Sequence, residues 1–158
     1  MQPEAKTIPM FEGLTMTSAG TVFGTVDTLG YDHLRIDLCA GTGDAASTAV
    51  TTLRLCEDDT APTAYTDGDA ITACVGAAAT STSAGFVLPA LSSSVQNVFQ
   101  FNIDLRGRKR YIGLNFAPEN QTVGVSALAS LSRKNAGANP ANVTAATGSA
   151  GARLIVNA

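Results

Sequence analysis

VFQFNIDLRGRKRYIGLNF, residues 98–116, is the stretch on which the fold class turns. Phe99, Phe101, Ile103 and Leu105 alternate with Gln100, Asn102 and Asp104, and Ile112, Leu114 and Phe116 resume the alternation. A period of two is the signature of a strand with one buried face. Between the two runs lie Arg106, Gly107, Arg108 and Lys109, the length of a short hairpin connection, and Gly107 can take a positive φ at little cost. The expectation is a β-hairpin whose tip carries Arg106, Arg108, Lys109 and Arg110, four of the ten Lys and Arg residues of the chain.

The same period recurs on both sides. YDHLRIDLCA (31–40), TTLRLCED (51–58) and TVGVSALASL (122–131) each alternate, and TVFGTVDT (21–28), DAITACV (69–75) and RLIVN (153–157) are shorter candidates. Gly, Asp, Asn, Ser and Thr punctuate them, and no segment carries an i, i+3, i+4 apolar stripe. About eight short strands with one apolar face each predict an all-β protein: an antiparallel β-sandwich, jelly-roll-like or a related sandwich.

Three regions fall outside that pattern. Residues 1–20 contain Pro3 and Pro9 and read as an extended N-terminal arm. Residues 76–94 read as a small-residue loop around Phe86, Val87 and Leu88. Residues 133–158 are a loose, low-complexity tail ending in a strand-like sextet, which can pair with its own sheet or with a neighbouring subunit. The sandwich itself is expected over 21–132.

The 158 residues suffice for one domain with a real core. Only 15% are charged, against about 25% in ordinary soluble domains. A surface of small neutral groups loses little on dehydration, which suits a chain that packs against copies of itself or a scaffold. The net charge of −3 argues against nucleic acid as the main partner. No apolar run approaches the roughly 20 residues of a membrane-spanning helix, so no membrane partner is expected. The first sixteen residues lack a basic segment followed by an apolar run, so no secretory signal is expected.

Catalytic patterns are missing from the sequence. GTGDAAST (41–48) lacks the Lys of a phosphate loop, there is no GxSxG elbow, and His33 is the single His. Cys39, Cys56 and Cys74 have no CxxC spacing and read as small buried or half-buried thiols. Glu57, Asp58, Asp59, Asp67 and Asp69 form the densest acidic run. Its two readings are a calcium loop and a hairpin connection; the spacing does not match an EF-hand. No enzyme activity and no cofactor are expected. For the basic turn, three readings are open: a solvated tip, a contact to an acidic protein surface, since Arg forks match carboxylates, and a nucleic-acid contact, against which the lack of interleaved aromatics counts.

Two segments carry a resemblance: TTLRLCEDDTAPTAYTD (51–67) and FQFNIDLRGRKRYIGLNFAPENQTVGVSALASLSRK (99–134). Together they resemble the capsid cement, or decoration, proteins of tailed bacteriophages, over roughly residues 27–134, with RGRKRYIGLNF (106–116) the most specific part. The resemblance implies a homotrimer on the capsid exterior of the virion, made in the host cytoplasm, that binds the major capsid protein and holds neighbouring copies together after head expansion. It implies no catalytic site. The 24 residues after Lys134 depart from the family pattern. The contact candidates are the basic turn, Pro9, Met10 and Phe11 of the arm, and Leu154, Ile155 and Val156 of the tail. Deleting residues 1–14 is expected to weaken capsid binding with the fold intact. The competing readings are a head fibre base, a neck or tail component, or a carbohydrate-binding sandwich; the absence of Trp and the three Tyr count against the last.

Overall fold

The computed structural model describes residues 5–17, 20–43, 50–72, 79–81, 85–86, 91–119, 122–133 and 154–157. Their strands are β1 (Ala5–Met16), β2 (Val22–Asp27), β3 (His33–Ala40), β4 (Val50–Asp58), β5 (Asp69–Ile71), β6 (Ala79–Ser81), β7 (Gly85–Phe86), β8 (Asn97–Asp104), β9 (Tyr111–Pro118), β10 (Val123–Ser132) and β11 (Leu154–Asn157). A single 3₁₀ turn, Tyr65–Asp67, is the one helical element among them.

The strands form a β-sandwich of two sheets. The first has the order β1-β10-β3-β8-β11, the second β2-β9-β4-β7-β6, with β5 paired to β4. Four strands in each are antiparallel neighbours, β1-β10-β3-β8 and β2-β9-β4-β5. Alternation decides which side chains go inward. Leu34, Ile36, Leu38, Phe99, Phe101 and Ile103 from the first sheet are fully buried, as are Leu53, Leu55, Ile112, Leu114 and Phe116 from the second. Each contributes about 1.5–3 kcal/mol of burial, so this interior is the main source of cohesion.

The run at 98–116 forms two strands, but not a hairpin. β8 pairs with β3 and β11, while β9 pairs with β2 and β4. Residues 105–110 therefore cross from one sheet to the other. Alternation fixes that each strand has a buried face; it does not fix the partner. Six residues extend to about 20 Å, ample for the roughly 10 Å between packed sheets. The link 28–32 between β2 and β3 crosses beside it. Leu105 N donates to Asp32 O at 3.0 Å, and Thr28 N and Oγ1 donate to Arg110 O at 3.0 and 2.6 Å. Gly107 has φ +79°, the left-handed conformation expected of it.

The N-terminal arm is corrected. Residues 5–16 are the edge strand of the first sheet, paired with β10 from Ala5–Ser132 to Met16–Val123. Phe11 and Met16 are core residues, each 8% exposed. The register shifts between Pro9 and Phe11 and again between Phe11 and Leu14, where Gly13 has φ +56°. Two bulges break the period of two, so the strand carries no alternation to be read. Across the core, Gly24 makes room for it: a Cβ there would lie 2.9 Å from Met10 Cβ and O and from Phe11 Cδ1.

The tail strand β11 lies at the opposite edge of the first sheet, parallel to β8, with Leu154 opposite Phe99 and Val156 opposite Phe101. The expectation that it pairs with its own sheet is what the fold contains; residues 134–153 lie outside the described residues. Within the expected loop 76–94, β6 and β7 add short strands beside β4. No helix among the described residues is long and apolar enough to cross a membrane.

Candidate functional site

The fold separates charge by position. The crossovers 28–32 and 105–110 and the β4–β5 connection 59–68 share one end, because Asp27 and Asp58 both stand opposite Tyr111 and His33 stands opposite Asp104. That end gathers the basic turn and the acidic run of the sequence. At the other end lie Thr17, Gly20, Thr21, 41–43, 91–96, Glu119 and Thr122, where Glu119 is the only charge among the described residues.

The four cations of the basic turn each meet a carboxylate of their own chain. Arg106 pairs with Asp104, two residues earlier. Arg108 Nη1 lies 3.5 Å from Glu57 Oε1, and Lys109 Nζ lies 2.9 Å from Asp69 Oδ2. Arg110 forms a fork on Asp27, with Nη2–Oδ2 2.6 Å and Nε–Oδ1 3.0 Å. The hydrogen bond from Arg110 holds the Asp27 carboxyl below its usual range, against a smaller opposing effect of burial. The side-chain bond to Asp69 raises Lys109, and the bond to Asp27 raises Arg110. The turn thus clasps the acidic connection and the end of β2. Its charge is matched inside the chain.

The acidic run is used in the same way. Besides Glu57 and Asp69, Asp58 Oδ1 accepts from Thr60 N at 2.8 Å. Asp67 Oδ2 accepts from Thr63 N and Oγ1, each at 2.9 Å, and from Ala64 N at 2.8 Å. These bonds, that from the Thr63 side chain first, lower its pKa below the ordinary carboxylate value. Of the two readings, the hairpin connection is the one the geometry contains: β4 and β5 pair Leu55–Ile71 through Glu57–Asp69. No group of three His, Cys, Asp or Glu side chains poised for a metal occurs among the described residues.

The neutral end is tied by hydrogen bonds instead. Asn97 is fully buried. Its Oδ1 accepts from Ser92 N at 2.7 Å and its Nδ2 donates to Gly41 O at 2.8 Å. Gly43 N donates to Ser92 O and Gly41 N to Gly124 O, both at 2.8 Å. Alternation at Asn97–Asp104 hides this role, because Asn97 occupies an inward position that the apolar pattern assigns to the core.

The two outer faces differ. The connection 59–68 folds over the second sheet, where Arg54 lies 3.7 Å from the centroid of the Tyr65 ring and its Nε donates to Asn115 Oδ1 at 2.8 Å. Cys56 is fully buried there, and burial pushes its thiol up to about 11. The first sheet presents Ser126, Leu128, Ser130, Cys39, Val98, Gln100 and Asn102 outward. Its central charges, Arg35 and Asp37, pair with each other at 2.9 Å, so the face is neutral. Cys39 is half-buried, and burial raises its thiol. Cys74 lies outside the described residues.

The contact candidates are spread around this sheet. Pro9 is exposed on edge strand β1 opposite Leu128, itself 41% exposed; Met10 packs partly against the core. Phe11 is corrected from a contact residue to a core residue, since it faces Ala127 and the interior. Leu154, Ile155 and Val156 form the other edge. The basic turn sits at one end of the sheet, and Leu128, between the edges, is an apolar exception in the outward series Gly124, Ser126 and Ser130 that the sequence reading passed over. No family model, no curated protein and no solved structure matches the chain.

Proposed function

We propose that this chain is a non-catalytic structural protein that works by repeated contacts in an assembly, in the specific form of a trimeric phage capsid cement protein on the virion exterior. The observation that carries the reading is the outer face of the first sheet. It is neutral, with Ser126 and Ser130 flanking the exposed Leu128 along β10, while on the other outer face Tyr65 of the chain's own 59–68 connection lies over Arg54. Such a face loses little solvation on contact with a second protein surface, and symmetry multiplies weak contacts.

The strand pairing supports the jelly-roll form of the sandwich. Taking the principal strands as a series, first pairs with last (β1 with β10), second with next-to-last (β2 with β9), then β3 with β8 and β4 with β5. That is the pairing of one long antiparallel hairpin rolled up into two sheets, as in the eight-stranded jelly rolls of capsid proteins.

The paired state of the basic turn revises where the contact lies. With Arg106, Arg108, Lys109 and Arg110 each engaged by Asp104, Glu57, Asp69 and Asp27, a neighbour's carboxylates would have to displace internal partners. The contact is assigned instead to the first sheet's outer face and its two edges. Co-sedimentation with expanded heads assembled without the protein tests the function. Saturable binding that Leu128→Glu abolishes, and that neutralising the turn leaves intact, is the expected result. Absence of binding by the unaltered chain overturns the cement reading.

A further inference from the structure

The last two strands of the first sheet point the same way. β10 is antiparallel to β3, β3 is antiparallel to β8, and β11 is parallel to β8. β10 ends at Ser132, level with His33 and Asp104 at the charged end. β11 starts at Leu154, level with Phe99, well back towards the neutral end. From Ser132 to Leu154 is thus about 17 Å along the strands and about 14 Å across them, or about 22 Å directly. Residues 133–153 can span about 70 Å, roughly three times what the chain's own sheet requires.

The hold of β11 on the sandwich is short. It pairs with β8 from Leu154–Phe99 to Asn157–Asn102, and a parallel ladder is slightly weaker per residue than an antiparallel one. Val143 is the only Val, Ile, Leu, Met or aromatic residue of 134–153, so the sequence before β11 offers a core little to bury. β8 of a second copy presents the same edge, and β11 makes the same ladder there. Exchange between copies therefore sacrifices no pairing, and the distance to the other β8 decides it. A donated strand and the edge that receives it are also two unlike patches, which is what a closed ring of three needs on each chain.

We propose that β11 is exchanged in the assembly: Leu154–Asn157 of each chain pairs, in the same parallel register, with β8 of the next copy. This rests on the assembly reading, because contact through the first sheet's outer face is what brings the next β8 within reach. Three donations close the ring, and a chain leaves only after the ladder it gives and the ladder it receives have both opened. Ladders this short do not hold copies together without the face, so Leu128→Glu still yields single chains, each with β11 on its own β8.

The test uses Gln100 and Ile155, which stand opposite each other on β8 and β11. Neighbouring strands lie about 4.8 Å apart, within the Cα range of a disulfide. Gln100→Cys and Ile155→Cys are introduced into the full chain with Cys39, Cys56 and Cys74 changed to Ala. The particle is sized by light scattering, oxidised, and run unreduced on a denaturing gel. The expected result is a trimer whose main bands are covalent dimers and trimers. A trimer that yields only internally linked single chains overturns the exchange and leaves the assembly reading standing. A monomer with internally linked chains overturns both. Isotope-filtered NMR on co-refolded ¹⁵N- and ¹³C-labelled chains of unaltered sequence decides the matter if the substituted chain fails to fold. Nuclear Overhauser contacts between amides of 99–102 on one copy and α protons of 154–157 on another are expected, and finding those contacts only within one copy overturns the proposal.

Discussion

Arg110 grips Asp27 with two hydrogen bonds, tying the crossover before β9 to the last residue of β2. The pair is typical of this end of the sandwich, where cationic and acidic segments far apart in sequence neutralise each other. Both side chains are about two-fifths exposed, so solvent screening keeps this pair weak.

Acid should loosen that end. Asp27 and Asp67 both have folded-state pKa values below the ordinary carboxylate value, through Arg110 and Thr63 respectively. Their stabilisation is complete above the unfolded value, about pH 4, and is lost as pH falls through the lower folded values. The urea midpoint is expected to hold steady from neutrality to about pH 5 and to decline below about pH 4. Asp27→Asn should lower the neutral midpoint slightly and flatten the decline. A variant as steep as the parent removes Asp27 from the account.

The neutral end depends on one buried amide. Asn97→Ala removes a fully buried amide and leaves Ser92 N and Gly41 O without their partner. The expected cost is about 1–3 kcal/mol in equilibrium unfolding. The loss should not depend on salt, in contrast to substitutions in the basic turn.

Edge strand β1 is part of the core, so deleting residues 1–14 should not leave the fold intact. The deletion removes Phe11 and bares β10. Gly24→Ala probes the same contact more gently. The added Cβ meets Met10 O, a backbone atom that cannot swing aside, for an expected cost of about 1–3 kcal/mol by overpacking. Denaturant midpoints of both variants check this, and an unshifted midpoint for the deletion would return β1 to the status of an arm.

Thiol chemistry should separate Cys56 from Cys39. Cys56 is enclosed and its thiol is raised to about 11, while Cys39 is half-buried on the open face. At pH 8 an alkylating reagent is expected to label Cys56 only at the rate of unfolding, and Cys39 faster. Mass spectrometry of peptides over a time course reads both.

The strands that kept a strict period of two were legible: β3, β4, β8, β9 and β10 fall within two residues of their expected bounds. What alternation cannot carry is partner choice. The run 98–116 has the look of a hairpin because a short polar link with Gly107 serves a crossover between sheets equally well. β1 was hidden by its two bulges, and the short β6 and β7 by sequence made of small residues. The basic turn and the acidic run were each visible as composition. Their mutual pairing was not, since it depends on β4, β8 and β9 ending at the same place.

The central claim is that a neutral sheet face, rather than the charged end, mediates self-assembly. Light scattering on the purified chain at low salt and at 1 M NaCl tests it most directly. The account predicts a particle near three times 16.1 kDa at both salt levels, reduced to the single chain by Leu128→Glu. A monomer at every concentration, or a trimer that salt dissolves and Leu128→Glu leaves whole, would contradict it.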